Sequence, residues 1–375
     1  MLNYHKILLA DKIRLQKYRQ AILRTVKKGD VVLDLGCGTA ILSLLAIRAG
    51  ASRVYAIEEG EILEIAQAIL KKNGLENRIK FIPRNSLRSS LTEKVDVIVS
   101  ELFGHLGLEE NIISYTADAR DKFLKKNGTL IPGRLEIQMA PLSHPQLYQE
   151  INFWKKPISG FDFSSARDWA VNNRYFCKIQ NSNLLSPPRL LFEIDLYRQT
   201  ESLLKKTLMF KMKRSAPLHG FAAWFRTALA PGIVLSNSPH SPATHWSQNF
   251  FPLQKPVLLQ KGQSVFIEFT NIPFQKGSIW NWIVFGKDDR HNAFRFEHST
   301  FRGRPTTQDL IQSMSGSFVP PVTQQNRITR AILKLCNGQR TTEQIARQIR
   351  KRFPPHFQNF RQAFQICVRI IRDHL

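Results

Sequence analysis

The chain has 375 residues, 43% hydrophobic and 22% charged, a globular composition long enough for two or three domains and unlike a disordered tail. Lys and Arg outnumber Asp and Glu by 54 to 29, a net charge of +25; such a field draws nucleic acid, anionic lipid or an acidic peptide, or simply keeps the surface soluble. The opening MLNYHKILLADKIRLQKY lacks the apolar core of a signal peptide, and no later stretch reaches membrane-spanning length. Four scattered cysteines, without C-x-x-C pairing or metal-ligand spacing, fit a reducing cytoplasm, so neither a metal nor a membrane partner is expected.

Leu15, Tyr18 and Ile22 predict a helix over about Lys12 to Leu23. VVLDLG, Val31 to Gly36, reads as a buried strand running into glycines, and Ile41 to Ala49 as the helix after it, stopped by Gly50. There follow strand Arg53 to Glu58, helix Ile62 to Lys72, the short strand KFIP, strand Val95 to Glu101, helix Ile112 to Lys126 and strand Thr129 to Ile131. This alternation predicts an α/β domain over 1–139, built on a parallel sheet covered on both faces. From about Ala140, short runs such as LLFEIDLY, GFAAWF and SVFIEF, broken by Pro, Gly and Ser, predict an antiparallel sandwich or barrel over 140–319. Pro320-Pro321 and VTQQN mark a linker. The rest, 322–375, reads as helical: Ile328, Ala331, Ile332 and Leu335 share one face, Thr341 and Gln344 form a capping box, and Phe360, Phe364, Cys367 and Ile371 line a last helix.

Two loops carry chemistry. Asp34, Gly36 and Gly38 sit where the first strand opens into a helix, so the backbone can turn tightly and meet a ligand at the helix N-terminus. The dinucleotide fingerprint needs a further glycine at position 41, where this chain has Ile, which argues against a pyrophosphate. Glu58 ends the second strand, where a carboxylate accepts ribose hydroxyls. A nucleoside without pyrophosphate points to S-adenosylmethionine. The second loop, SELFGHLGLEE, puts Glu101 and Glu110 nine residues apart around Gly104 and Gly107. Two carboxylates suit the planar fork of a guanidinium. On this loop alone that reading stands level with its rival, in which Glu109 and Glu110 open a solvated helix.

The chain resembles the protein arginine methyltransferase family over about Tyr4 to Arg302. VVLDLGCGTAILSLLAIRAGASRVYAIE is similar to the family's cofactor motifs, SELFGHLGLEE to its double-glutamate hairpin, and THWSQNFFPL to its threonine-histidine-tryptophan loop. The resemblance implies a Rossmann-like class I methyltransferase domain followed by a β-barrel, with a dimer arm at about 150–172, in FWKKPISGFDFSSARDWA. It implies that Glu101 and Glu110 hold an arginine, that His245 pairs with Asp11 to close the active site, and that Trp246 and Phe103 stand at the acceptor. Phe103 replaces a methionine common in enzymes that make asymmetric dimethylarginine. Arg14 takes the place of the arginine that binds the methionine carboxylate; an ion pair with Asp11 is the local alternative. Of the family's tyrosine-bearing lid helix, Tyr4 and His5 are the matching residues. Leu87 stands where the family carries an adenine-binding glutamate, which leaves adenine to Ser86 and the backbone.

ILKLCNGQRTTEQIARQIRKRF resembles the PqqD-like winged-helix modules that bind leader segments of precursor peptides. From Arg327 onward there are eleven Lys or Arg against two Asp or Glu, so an acidic leader is the expected partner, with nucleic acid as the alternative. Together these readings predict a homodimeric, S-adenosylmethionine-dependent arginine N-methyltransferase of peptides or proteins. The alternatives are a methyltransferase of another basic side chain and a non-catalytic peptide- or RNA-binding scaffold; the presence of both Glu101 and Glu110 favours the enzyme.

Overall fold

The computed structural model describes residues 2–274, 277–304, 308–313 and 315–374. Two N-terminal helices, α1 (Leu2–Ala10) and α2 (Lys12–Thr25), precede β1 (Val31–Leu35), α3 (Ile41–Ala49), β2 (Arg53–Ile57), α4 (Ile62–Lys72), β3 (Ile79–Ile82), β4 (Val95–Ser100), α5 (Ile112–Phe123) and β5 (Leu124–Ile131). The five strands pair in parallel in the order β3-β2-β1-β4-β5. Their apolar runs are buried on both faces, as a helix-covered sheet requires. The order reverses between β1 and β4, so the loops after these two strands splay apart and leave a crevice at their carboxyl ends. The fifth helix ends at Phe123, earlier than expected, because Leu124 is drawn into the sheet opposite Val95.

The antiparallel part starts at β6 (Arg134–Leu142), a few residues before the composition changes. After α6 (Pro145–Asn152) and α7 (Ala166–Ala170) come β7 (Tyr175–Cys177), β8 (Arg189–Asp195), β9 (Leu204–Lys211), β10 (Ala216–Ala230), β11 (Ile233–Ser236), β12 (Gln248–Leu259), β13 (Ser264–Phe274), β14 (Gly277–Lys287) and β15 (Ala293–Ser299). They form two sheets, β7-β12-β10-β6-β8 with β11 on β10, and β15-β14-β13-β9. Phe251 of β12 meets Phe269 and Trp282 of the second sheet with ring centres 4.9 and 5.3 Å apart. This corrects the expected barrel: among the described residues the pairings close no ring, and the alternating faces are buried by laying one sheet on the other.

Residues Thr306–Leu375 are a separate compact unit. It contains α8 (Gln308–Ser313), α9 (Gln324–Leu335), α10 (Thr342–Arg352) and α11 (Phe360–His374). Ile328, Ile332, Ile345, Ile349, Cys367 and Ile370 are buried together in a core of their own. Thr341 and Gln344 make the expected capping box, and Thr323 caps α9, so that helix begins inside the expected linker. The winged-helix expectation is corrected here. No strand occurs in this unit among the described residues; the joints between α9, α10 and α11 are short turns, and Pro354 and Pro355 supply no N–H to a hairpin. Among the described residues no helix is long and apolar enough to cross a membrane.

The register between β10 and β12 shifts next to Gly220. A Cβ there would collide with the Phe251 carbonyl and the Phe250 ring, both part of the backbone and core of the facing strand. Gly220→Ala is expected to lower stability by about 1–3 kcal/mol, the range for overpacking, measured by chemical denaturation. Unchanged stability would mean that this strand pair gives way easily.

Candidate active site

The crevice holds a cavity of about 280 Å³. Its floor is the turn after β1, where Gly36 and Gly38 adopt positive φ of 74° and 52°. Backbone amides fix Glu58 at the end of β2: Gly38 N–H donates to its Oε2 at 3.0 Å and Gly60 N–H to its Oε1 at 2.8 Å. One carboxylate thus joins the glycine turn to the second strand while facing the cavity. From above, α1 brings Tyr4, His5 and Leu8 to the same cavity, and burial pushes Tyr4 up to about 12. The two residues that match the family's lid helix, Tyr4 and His5, thus stand on a nine-residue helix.

The loop after β4 is organised by Glu109, not by the two glutamates singled out in the sequence. Its carboxylate accepts the N–H groups of His105, Leu106 and Leu108 at 2.9 to 3.2 Å. It is also ion-paired to Arg174, which bonds Asn249 in turn at 2.9 Å. Gly104 at φ 60° lets the chain fold over this carboxylate; a Cβ there would lie 2.8 Å from Glu109. With Glu109 consumed, Glu110 swings to the cavity opposite Glu101. Glu110 has no hydrogen-bond or ion-pair partner among the described residues. Burial, with the charges of Glu101 and Glu109 added, pushes its carboxyl up from 4.5 to about 8.

Glu101 is held from the other side. Arg14 places both Nε and Nη2 at 2.7 Å from Glu101 Oε2, and its Nη1 donates to the Leu8 carbonyl at 3.0 Å. Burial raises the Glu101 carboxyl, and Arg14 pulls against that rise. Arg14 makes no side-chain pair with Asp11; Asp11 has other work. Its Oδ1 caps α2 by accepting Arg14 N–H at 2.9 Å. Its Oδ2 accepts His245 N–H at 2.9 Å and faces His245 Nδ1 at 2.8 Å. Burial lowers His245 despite that partner, so near neutral pH the pair is a carboxylate beside a neutral ring.

Other expected site residues lie outside the cavity. Asp34 is completely buried under the turn, where Ser43 donates to it through both N–H and Oγ, at 2.9 and 2.6 Å. Leu87 points out, with 47% of its surface exposed, because Asn85 turns the chain there by accepting Leu87 N–H. Phe103 and Trp246 are packed with Phe225 in an aromatic cluster, at 5.0 and 5.2 Å between ring centres. The His245 ring lies tilted against Trp246, with 4.0 Å between ring centres. These three support the loop and do not line the cavity. Sequence reasoning passed over Glu59, Arg84, Asn85 and Tyr115, all of which do line it. Asn85 donates to Glu59 at 3.0 Å and reaches the Tyr115 hydroxyl at 3.4 Å. The polar cluster after β3 could have flagged Arg84 and Asn85; Glu59, after β2, and Tyr115, on α5, carried no such signal. The cavity walls carry four carboxylates, Glu58, Glu59, Glu101 and Glu110, against two guanidiniums, Arg14 and Arg84. In a protein of +25 the balance of charge is thus reversed at this cavity.

The family profile of the arginine methyltransferase oligomerization subdomain matches residues 134–278, and that of ribosomal protein L11 methyltransferase matches residues 16–140. Protein arginine N-methyltransferase 6 of Xenopus laevis is 32% identical over 287 residues, covering 72% of this chain and 84% of that protein. Its Danio rerio counterpart is 34% identical over 289 residues, 73% of this chain and 83% of that one. Among solved structures, the Trypanosoma brucei PRMT1 enzyme-prozyme complex with AdoHcy superposes with a TM-score of 0.73 at 25% identity, over 80% of this chain and 98% of that one. Arabidopsis thaliana protein arginine methyltransferase 10 has the same fold, with a TM-score of 0.69 at 23% identity and the same coverage.

The two neighbouring glutamates should behave oppositely. Glu109→Gln removes a charge that accepts several N–H groups and Arg174, and should cost about 1.5–3 kcal/mol. Glu110 binds its proton more tightly in the folded chain than in the unfolded one, so its ionisation erodes stability as pH rises from about 4.5 to about 8. Glu110→Gln should therefore match the parent near pH 4.5 and become increasingly more stable up to about pH 8. Thermal melts across pH test both; a Glu110→Gln difference that does not grow with pH would remove the unpaired carboxyl.

Proposed function

The chain belongs to the protein arginine N-methyltransferase family, and on that premise we propose that it methylates the guanidinium of an arginine in a peptide or protein, with S-adenosylmethionine as cofactor. The observation that carries this reading is the acidic cavity inside a strongly basic chain. A sulfonium and a guanidinium are both cations, and four carboxylates against two guanidiniums suit them. A pyrophosphate would be repelled, and Ile41, not a glycine, stands at the cavity wall where a dinucleotide would need close approach.

Residues are available for each part of the cofactor. Glu58 would take the ribose hydroxyls, Arg14 the carboxylate, the Gly36 to Gly38 turn the close approach, and Ser86 with Asn85 the adenine side. His5 and Tyr4 would cover it. When bound, S-adenosylmethionine supplies an electrophilic methyl group. The rest falls to the chain. The substrate arginine arrives protonated, since its pKa lies above about 12. Glu101 and Glu110 hold its fork, oppose its charge and aim one nitrogen, and the proton displaced from that nitrogen leaves toward the carboxylates. Asp11 and His245 act as positioning residues, tying the loop before Trp246 to α2 and so to Arg14.

The same proposal includes a dimer through the arm, whose Phe153, Phe161 and Trp169 are 51, 69 and 47% exposed. It also assigns the basic C-terminal helices to an acidic segment of the substrate, which raises local substrate concentration against the repulsion between a chain of +25 and an arginine-rich peptide. A nucleic acid is the competing partner for those helices. The four cysteines, all free thiols, support a cytoplasmic setting.

The test is methylation of an arginine peptide with labelled S-adenosylmethionine, read by mass spectrometry. Glu101→Gln and Glu110→Gln should each reduce turnover by orders of magnitude with nearly unchanged cofactor affinity. Turnover at the parental rate in both variants would sink the double-glutamate mechanism. Because a cation binds the ionised form, kcat/KM should rise with pH, reach half its plateau near about 8 and level off above it, as Glu110 loses its proton. A flat profile across about pH 7 to 9, roughly one unit either side of that midpoint, would exclude Glu110 as the controlling group. Deleting residues from about Val322 should raise KM for a substrate with an acidic segment and leave a short arginine peptide unaffected.

A further inference from the structure

The outer face of the sheet β15-β14-β13-β9 carries a feature that the methyltransferase reading does not use. Inward positions of these strands, such as Val265, Ile267, Trp282 and Val284, are buried. Outward positions of an exposed sheet are normally polar. Here one cross-strand row is instead Met209, Phe266, Phe285 and Arg295, each directly opposite the next. The Phe266 and Phe285 rings lie nearly parallel, 5.3 Å apart at 8°, and the Arg295 guanidinium stands 5.8 Å from the Phe285 ring centre. Both phenylalanines line a concave site of about 650 Å³ that also takes in Lys287 and His291 and has no acidic residue in its wall.

The charges beside this row are sorted. On one side lies a row containing Glu268 and Glu297, each tied up at 2.9 Å, by Lys205 and Arg295 respectively. On the other side Lys211 pairs with Ser264 across the strands and Lys287 with Ala293. Both lysines are exposed and have no acidic partner among the described residues. They stand two strands apart, about 9–10 Å by strand spacing. Each ring gives one face to the other; the ring surface left open, flanked by lysines without acidic partners, offers stacking for bases and charges for the phosphates that connect them.

We propose that this sheet face binds single-stranded RNA, with bases stacked on Phe266 and Phe285 and phosphates against Lys211 and Lys287. The proposal is independent of the active-site reading. An acidic peptide would use the lysines but has no need of parallel rings, and a duplex hides its base faces.

The experiment is fluorescence anisotropy of the full chain with labelled oligouridine roughly 12 nucleotides long. Binding should be saturable and should weaken with salt. Phe285→Leu, which keeps apolar volume but removes the ring, and Phe266→Leu should each weaken it about tenfold. Lys211→Gln with Lys287→Gln should flatten the salt dependence, while methylation of a short arginine peptide stays at the parental rate in all variants. Crosslinking with 4-thiouridine RNA should label peptides of β13 and β14, a readout that does not depend on how the variants fold. No binding, binding that the phenylalanine variants leave intact, crosslinks confined to the C-terminal helices, or stronger competition by an acidic peptide or a duplex than by unlabelled oligouridine would each overturn it.

Discussion

The carboxylate of Glu109 sets the geometry on which the site depends. It gathers the N–H groups of its own loop and is ion-paired to Arg174 on the strand side. A loop with two glycines at positive φ would otherwise have many conformations. Closing it on one charged acceptor leaves Glu110 facing the cavity with nothing to bond. Burying a carboxyl without a partner opposes ionisation, and the chain carries that strain at the point where a cation would relieve it.

A second carboxylate does comparable work at the entrance. Asp11 ends α1, caps α2 and holds His245, which is 234 residues away in the chain. The helix that carries Arg14 is thereby fixed to the antiparallel part. Arg14 in turn spans the cavity to Glu101. The pair is almost fully buried, with side-chain exposures of 5 and 8%, so each charge depends on the other until a ligand offers an alternative. One guanidinium thus stands between the expected cofactor side and the expected acceptor side.

The net charge of +25 therefore describes the surface and not the site. Inside the crevice the sign reverses. Around the outer sheet and along the C-terminal helices the basic excess is exposed, and there it is a matter for partners. The C-terminal unit has an apolar core of its own, and its charge sits on that framework.

The parallel sheet was legible in the sequence, because strands buried on both faces leave unbroken apolar runs and glycines mark their ends. Gly36, Gly38 and Glu58 were legible for the same reason, being attached to those strand ends. Glu101 and Glu110 were named through the resemblance to the family's double-glutamate hairpin; the loop by itself left that reading level with its rival, and it could not show what sets Glu110 apart from Glu109. That difference was made by Arg174, 65 residues on, and by the backbone of a folded loop. The resemblance, not the local sequence, put Phe103 and Trp246 at the acceptor; in the fold both are buried against Phe225 from β10. Leu87 was placed by its Asn85 turn, and Asp34 by Ser43. Whether the alternating strands made a barrel or two stacked sheets, and whether the last helices carried a wing, also lay beyond the sequence. Local pattern states which face of a segment seeks burial. Only the folded chain decides what buries it, because those partners come from segments whose distance along the chain carries no signal.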